Sequence, residues 1–340
     1  MTDVAVGHNG TPYVTAYPWS AGFGSKYSNP GTLPPNICLG VAFSASDIAV
    51  AHFTSPYVSA YPWSAGFGTK YSNPGTLPSG DGNGVAFSAD GATIAVASGS
   101  SPFVLAYPWS SGFGSKYSDP GTLPANASYT VAFSPSGADI AVAHFGSPYV
   151  TAYPFSSGFG SKYSNPASLP PGTATGVAFS PSGADIAIAD GSSPYILAYP
   201  WSSGFGTKYS DPASLPGNFS NRVAFSPSGS DIAVAHNTPT RVAAYPWSSG
   251  FGTKYSAPGT LPTGNGQDVA FSSADVIVGH ATSPYVTAYP WSAGFGTKYS
   301  NPGTLPGGQG NGVAFTPSGG GGGGGSVVPV FMNQYRQRWN

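Results

Sequence analysis

The chain has 340 residues, of which 7% are charged, against roughly 25% in ordinary soluble domains. Eleven Lys and Arg face twelve acidic residues, all of them Asp, so the net charge is −1. That balance carries no basic footprint for nucleic acid. No apolar run approaches the roughly 20 residues of a spanning helix, so membrane insertion is not expected. Cys38 stands alone, which excludes an internal disulfide, and its loop-like setting reads as a free surface thiol. The opening Met1-Thr-Asp-Val lacks the pattern of a secretory signal.

Taken in chain order, the elements repeat. Val-Ala-Phe begins at Val41, Val85, Val131, Val177, Val223, Val269 and Val313, in steps of 44 or 46 residues. Tyr-Pro-Trp follows the same steps from Tyr17, with Tyr-Pro-Phe at Tyr153. In the copy from Thr130 to Pro170, Val131-Ala-Phe-Ser reads as a first strand. Pro135-Ser-Gly137 is a turn, with Pro and Gly setting its backbone. Asp139–His144 alternates as a second strand. Tyr149–Tyr153 forms a third, ended by Pro154, which cannot donate to a ladder. Phe159–Tyr163 reads as a fourth. Nothing follows a helical period.

A repeat of this length built of short strands predicts an all-β, seven-bladed β-propeller of four-stranded antiparallel blades over residues 1–319. Alternation gives each blade a bulky face (Val131, Phe133, Ile140, Val142) and an Ala-rich one (Ala132, Ala141, Ala143). The last copy stops after a first strand, and the chain opens on Asp3–His8, which aligns with Asp139–His144. The N- and C-terminal strands are therefore expected to share one blade and close the ring.

The copies serve as an internal alignment. In a meander, first-to-second and third-to-fourth turns share one end of the ring, and there the copies barely differ. At the other end the blade links and second-to-third turns differ throughout. Rigid blades carrying variable loops read as a recognition face. Its candidate partner-binding residues are Ile37, Phe53, Asn83, Tyr129, Phe145, Thr175, Phe219, Arg222, Gln267 and Asp268. A protein or a glycan is the expected ligand.

Other repeated residues read as structural. His8, His52, His144, His236 and His280 end second strands, with Ser98 and Asp190 in the other two copies. Neighbouring blades sit about 10 Å apart, too far to share an ion, so these are expected as single rim residues or members of the binding face. Seven Lys on the outermost strand would discourage sheet addition. Asp47, Asp139, Asp185 and Asp231 suit turn chemistry. The corner Trp residues read as packing wedges, or as sugar platforms. No close carboxylate pair or nucleophile–base pair appears, so no enzyme, cofactor or metal is expected.

Val-Ala-Phe-Ser-Pro-Ser-Gly at 131–137 and 177–183 resembles the first strand and turn of WD-repeat propellers, although the Gly-His and Trp-Asp signatures of that family are absent. The glycine run within 320–326 reads as a linker. The end, 327–340, reads as a docking peptide anchored by Phe331, Met332, Tyr335, Arg336, Arg338 and Trp339, residue types favoured at interface centres. Near-identical blades, linker and terminal anchor together resemble the layout of bacteriophage virion surface or adhesion proteins. That resemblance implies a non-enzymatic propeller on the virion surface, or otherwise extracellular, held in a larger protein assembly by its tail. Alternatives are a multivalent lectin using the Trp corners and a cytoplasmic protein–protein scaffold.

Overall fold

A computed structural model describes residues 2–317. It is all-β, with seven antiparallel sheets of three strands. In chain order the strands are β1 (Thr2–His8), β2 (Val14–Trp19), β3 (Cys38–Phe43), β4 (Asp47–His52), β5 (Val58–Pro62), β6 (Gly82–Phe87), β7 (Thr93–Ser98) and β8 (Val104–Pro108). Next come β9 (Ser128–Phe133), β10 (Asp139–His144), β11 (Val150–Pro154), β12 (Ala174–Phe179), β13 (Asp185–Asp190) and β14 (Ile196–Pro200). The series ends with β15 (Ser220–Phe225), β16 (Asp231–His236), β17 (Val242–Pro246), β18 (Gly266–Phe271), β19 (Asp275–His280), β20 (Val286–Pro290) and β21 (Gly310–Phe315). Six sheets are consecutive triplets. The seventh has the order β2-β1-β21, with Val4 opposite Phe315 and Val6 opposite Val313. The first strands β3, β6, β9, β12, β15, β18 and β21 touch one another in sequence, and β21 also touches β3. This is the arrangement of a seven-bladed propeller, with those strands innermost.

The core lies between sheets. One cluster sets Ala132, Ala141, Ala143 and Ala152 of one sheet against Val177, Phe179, Ile186, Ile188, Tyr199 and Trp201 of the next. Small against bulky is the packing the alternation predicts, and each large side chain so buried contributes about 1.5–3 kcal/mol. The YPW tyrosines are fully buried, and each hydroxyl donates to a carbonyl of the preceding copy's outer loop, as Tyr153 does to Thr122 O at 2.7 Å.

Several expectations need correction. The segment Phe159–Tyr163 is not a fourth strand. It meets the sheet through the bridge of Phe155 to Phe159 and through bonds from Gly160 N to Pro154 O at 2.8 Å and from Tyr163 N to Ala152 O at 2.9 Å. Lys on that segment secures the loop that follows, as Lys26 does through Asn29 Oδ1. The third strand begins at Val150, because Tyr149 sits at φ 68°. Cys38 lies in β3 and is fully buried, with Sγ 3.3 Å from Gly40 O, and burial pushes its thiol far up.

Asp3, Asp47, Asp139, Asp185, Asp231 and Asp275 are buried acceptors rather than turn residues. Each takes a corner indole from a neighbouring sheet and a Tyr hydroxyl from its own copy. Asp139 accepts Trp201 Nε1 at 3.0 Å and Tyr163 Oη at 2.7 Å; Asp275 accepts Trp19 Nε1 at 2.8 Å and Tyr299 Oη at 2.8 Å. The Trp corners are thereby buried, Trp201 to 6% exposure, or half-buried in the case of Trp291, with their N–H groups engaged, and offer no open platform to a sugar. The linker 320–326 and the tail 327–340, with Phe331, Met332, Tyr335, Arg336, Arg338 and Trp339, lie outside the described residues.

Candidate functional site at the channel mouth

Every innermost strand carries a bulge at the same place. In β9 the pairing passes from Ser128 opposite His144 to Thr130 opposite Ala143 and skips Tyr129. The skipped residues in the other sheets are Leu39, Asn83, Thr175, Asn221, Gln267 and Asn311. A bulge re-aims the side chain it carries, and here it points several of them toward the neighbouring sheet. Asn83 Nδ2 donates to Ser128 O at 2.8 Å, Thr175 Oγ1 to Ser220 O at 2.6 Å, Asn221 Nδ2 to Gly266 O at 2.6 Å and Asn311 Nδ2 to Cys38 O at 2.8 Å.

The next residue of each strand lies against the innermost strand of the neighbouring sheet, so that a Cβ on Gly40, Gly84 or Gly312 would come within 3.2 Å of that strand's backbone. The seven are Gly40, Gly84, Thr130, Gly176, Arg222, Asp268 and Gly312. Glycine at 176 suits the close approach of the next strand, since a Cβ there would lie 3.0 Å from the Arg222 Cα. Arg222 and Asp268 thus occupy equivalent positions on adjacent sheets, in a ring otherwise built of four glycines and one threonine. They are the charged side chains lining a cavity of about 190 Å³, together with Asn83, Thr130 and the ring of Val-Ala residues below. At the far mouth the lining is Phe43, Phe225, Phe271, Phe315, Pro227 and Pro317.

Arg222 is oriented by its backbone surroundings. Its Nη1 donates to Thr175 O at 2.6 Å and Asn221 O at 2.9 Å. The rest of its guanidinium meets no protein acceptor among the described residues. Asp268 accepts Val269 N on Oδ1 and Val313 N on Oδ2, both at 2.8 Å. Desolvation in the narrow channel raises the Asp268 carboxyl to about 6, against the lowering pull of Arg222 and the two amides. Desolvation also lowers Arg222, with Asp268 acting in the opposite sense. The ion pairs within 4 Å among the described residues are Lys116–Asp119 and Lys208–Asp211, so the Arg222 and Asp268 charges are coupled without direct contact.

The structure divides the sequence-predicted residues into groups. Asn83, Arg222 and Asp268 line the cavity. Tyr129, Thr175 and Gln267 sit at bulges beside it. Phe53, Phe145 and Phe219 lie outside the lining, exposed at 49%, 51% and 39%. Ile37 is half-buried and accepts Phe53 N through its carbonyl. Thr130 and Leu39 also line the cavity and were not singled out, although Thr130 stands at the same offset before Val-Ala-Phe as Arg222 and Asp268.

The strand-end histidines are fully buried rather than on a rim. His144 Nε2 meets Thr151 Oγ1 at 2.9 Å and His280 Nε2 meets Thr287 Oγ1 at 2.9 Å. Desolvation lowers all five to about 4. Asp190, in a histidine's place, is raised to about 6 by burial and accepts Ser192 N at 2.6 Å. Among the described residues no three His, Cys, Asp or Glu side chains converge on a shared point, and no helix is long and apolar enough to cross a membrane.

No protein-family model matches the chain, and no curated protein matches its sequence. Solved structures do match its fold. A Bacteroides uniformis protein described as a candidate 6-phosphogluconolactonase superposes with a TM-score of 0.71 at 14% identity, over 92% of this chain and 99% of its own. The periplasmic gluconolactonase of Pseudomonas aeruginosa gives 0.68 at 14%, over 93% and 99%. A Lactobacillus plantarum protein gives 0.70 at 16%, over 93% and 99%. These likenesses establish the fold. The names of the first two also overturn the expectation of a non-enzymatic display or adhesion propeller, because this architecture, nearly end to end, is carried by proteins named as lactonases.

Proposed function

We propose that the protein is a hydrolase acting on a lactone, with Arg222 and Asp268 as its working pair. The observation that carries this reading is the placement of both charges, each desolvated, at equivalent positions on adjacent sheets of a cavity whose other described lining residues are uncharged. A carboxylate with a pKa near 6 is ionised at neutral pH and still basic enough to take a proton. Perturbed titration in a cleft is a mark of functional sites.

In the proposed reaction Asp268 accepts a proton from water as the water oxygen bonds to the lactone carbonyl carbon. The Arg222 guanidinium, aimed by the carbonyls of Thr175 and Asn221, faces the negative charge that develops on the carbonyl oxygen. The ring C–O bond then breaks. Its oxygen leaves with the proton held by Asp268, and the product is the open hydroxy acid. The same reading takes the β2-β1-β21 sheet as the closure of the ring, which holds the Val313 amide against Asp268.

The test is acid release from an aldono-δ-lactone, measured above spontaneous hydrolysis. Wild type should accelerate it, and Asp268→Asn should return it to background with the fold intact by circular dichroism. A wild-type rate equal to background, or full activity in the variant, refutes the reading.

A further inference from the structure

The chemistry of the same cavity restricts which lactone can enter. We infer that the site takes an uncharged polyhydroxy lactone and discriminates against a phosphorylated one; this rests on the hydrolase reading above. A phosphate monoester brings a charge of about −1.5 to −2 at neutral pH and three strong acceptor oxygens. Sites for such groups combine several cations with a nest of backbone N–H donors. The described lining of this cavity lacks the first of these. Arg222 is the one cation among its described lining residues, and part of its fork is spent on two backbone carbonyls.

Two of the lining amides are committed. Val269 N and Val313 N both donate to the Asp268 carboxylate. That carboxylate sits on the sheet next to Arg222 and is the one acidic side chain among the described lining residues, so it repels an anion that Arg222 would attract. The repeated lysines stand on the outer loops, Lys26 and Lys298 held by Asn29 and Asn301 and Lys116 and Lys208 by Asp119 and Asp211. None of them lines the cavity. Four Phe and two Pro line the far mouth, together with the hydroxyl residues Thr2, Ser272, Ser273 and Thr316, and no cation stands there among the described residues.

Neutral hydroxyl groups fare better. Asn83 uses its amide N–H on Ser128 O and keeps its own carbonyl oxygen as an acceptor. Thr130 donates its hydroxyl hydrogen to Thr175 O at 2.6 Å and keeps its lone pairs. Together with the unspent donors of Arg222, these groups match the hydroxyls of a sugar ring without asking for charge.

The experiment compares kcat/KM for glucono-δ-lactone and its 6-phosphate derivative, each corrected for spontaneous opening, on the full chain and on Asp268→Asn. The expected result is a preference of at least about tenfold for the uncharged lactone, a margin that one unpaired charge readily produces. Thr130→Lys, which adds a cation to the lining, should narrow that preference. Equal or better turnover of the phosphorylated lactone, lost in Asp268→Asn, overturns the inference while the hydrolase reading stands. Turnover of neither lactone overturns both.

Discussion

Thr93 and Phe155 mark the one place where the Asp–Trp bond between sheets is replaced at both ends. Elsewhere the donor indole lies 60 or 62 residues after its carboxylate, as in Asp47 with Trp109 and Asp185 with Trp247, or returns around the ring from Asp275 to Trp19. Thr93 holds the Asp position in β7, and 62 residues on stands Phe155. A threonine lacks the carboxylate and a phenylalanine lacks the N–H, so neither buried position keeps an unpaired partner.

The two changes should therefore be coupled. Phe155→Trp alone buries an N–H with no acceptor and Thr93→Asp alone buries a carboxylate with only Tyr117 at hand, each costing about 1–3 kcal/mol. The double variant should be more stable than the sum of the singles by about 1–2 kcal/mol, measured by denaturant unfolding. Strict additivity would show that the two sites do not meet.

Acid should unfold the ring early. Five histidines held at about 4 bind fewer protons folded than unfolded, where they titrate near 6.5. Their stabilisation is fully present above pH 6.5 and is lost as pH falls toward 4. Asp190 and Asp268, raised to about 6, bind more protons folded and oppose the loss over the same window. Five less two leaves a net slope of roughly three protons per molecule. The melting temperature should drop steeply between pH 6.5 and 4.5, and His52→Asn should flatten that slope by about one proton. A melting temperature constant across the window would refute the burial of these rings.

The β1–β21 pairing predicts an effect of shortening the chain. Ending it after Gln309 leaves Val4 and Val6 without the facing Phe315 and Val313 and exposes the β1 edge. Two or more buried apolar side chains at about 1.5–3 kcal/mol each are lost, so thermal unfolding should shift down clearly and β1 amides should lose exchange protection. An unchanged melting temperature would mean that these strands do not pair.

Arg222 should act on both binding and titration. It pulls the Asp268 carboxyl down, so Arg222→Ala should raise the midpoint of the acidic limb of activity above pH 6 as well as lower kcat. Arg222→Lys, which keeps the charge but not the fork, should restore the midpoint more than the rate. A midpoint unmoved in Arg222→Ala would separate the two residues.

Much of this architecture is legible in the repeat. The strand positions, the small-against-bulky packing of Ala132 and Ala141 on Phe179 and Ile186, and the pairing of Asp3–His8 with the last Val-Ala-Phe all follow from period and alternation. What escapes is contact between copies. Asp139 looks like turn punctuation because its partner Trp201 lies 62 residues away in another sheet. Phe159–Tyr163 alternates like a strand, yet Gly160 and the Pro154 corner hold it to the sheet by isolated bonds. Cys38 resembles a loop residue until the bulge at Leu39 places it in β3. Arg222 and Asp268 stand out by variation among the copies, but the narrow channel that desolvates them is a product of the seven inner strands together.

The most direct measurement is the pH dependence of kcat/KM for lactone opening, in wild type and in Asp268→Asn. A wild-type rate that rises through about pH 6 and levels above it, over a flat background in the variant, is the predicted result. A variant that keeps the wild-type rate and its acidic limb would contradict the assignment of Asp268 as the base.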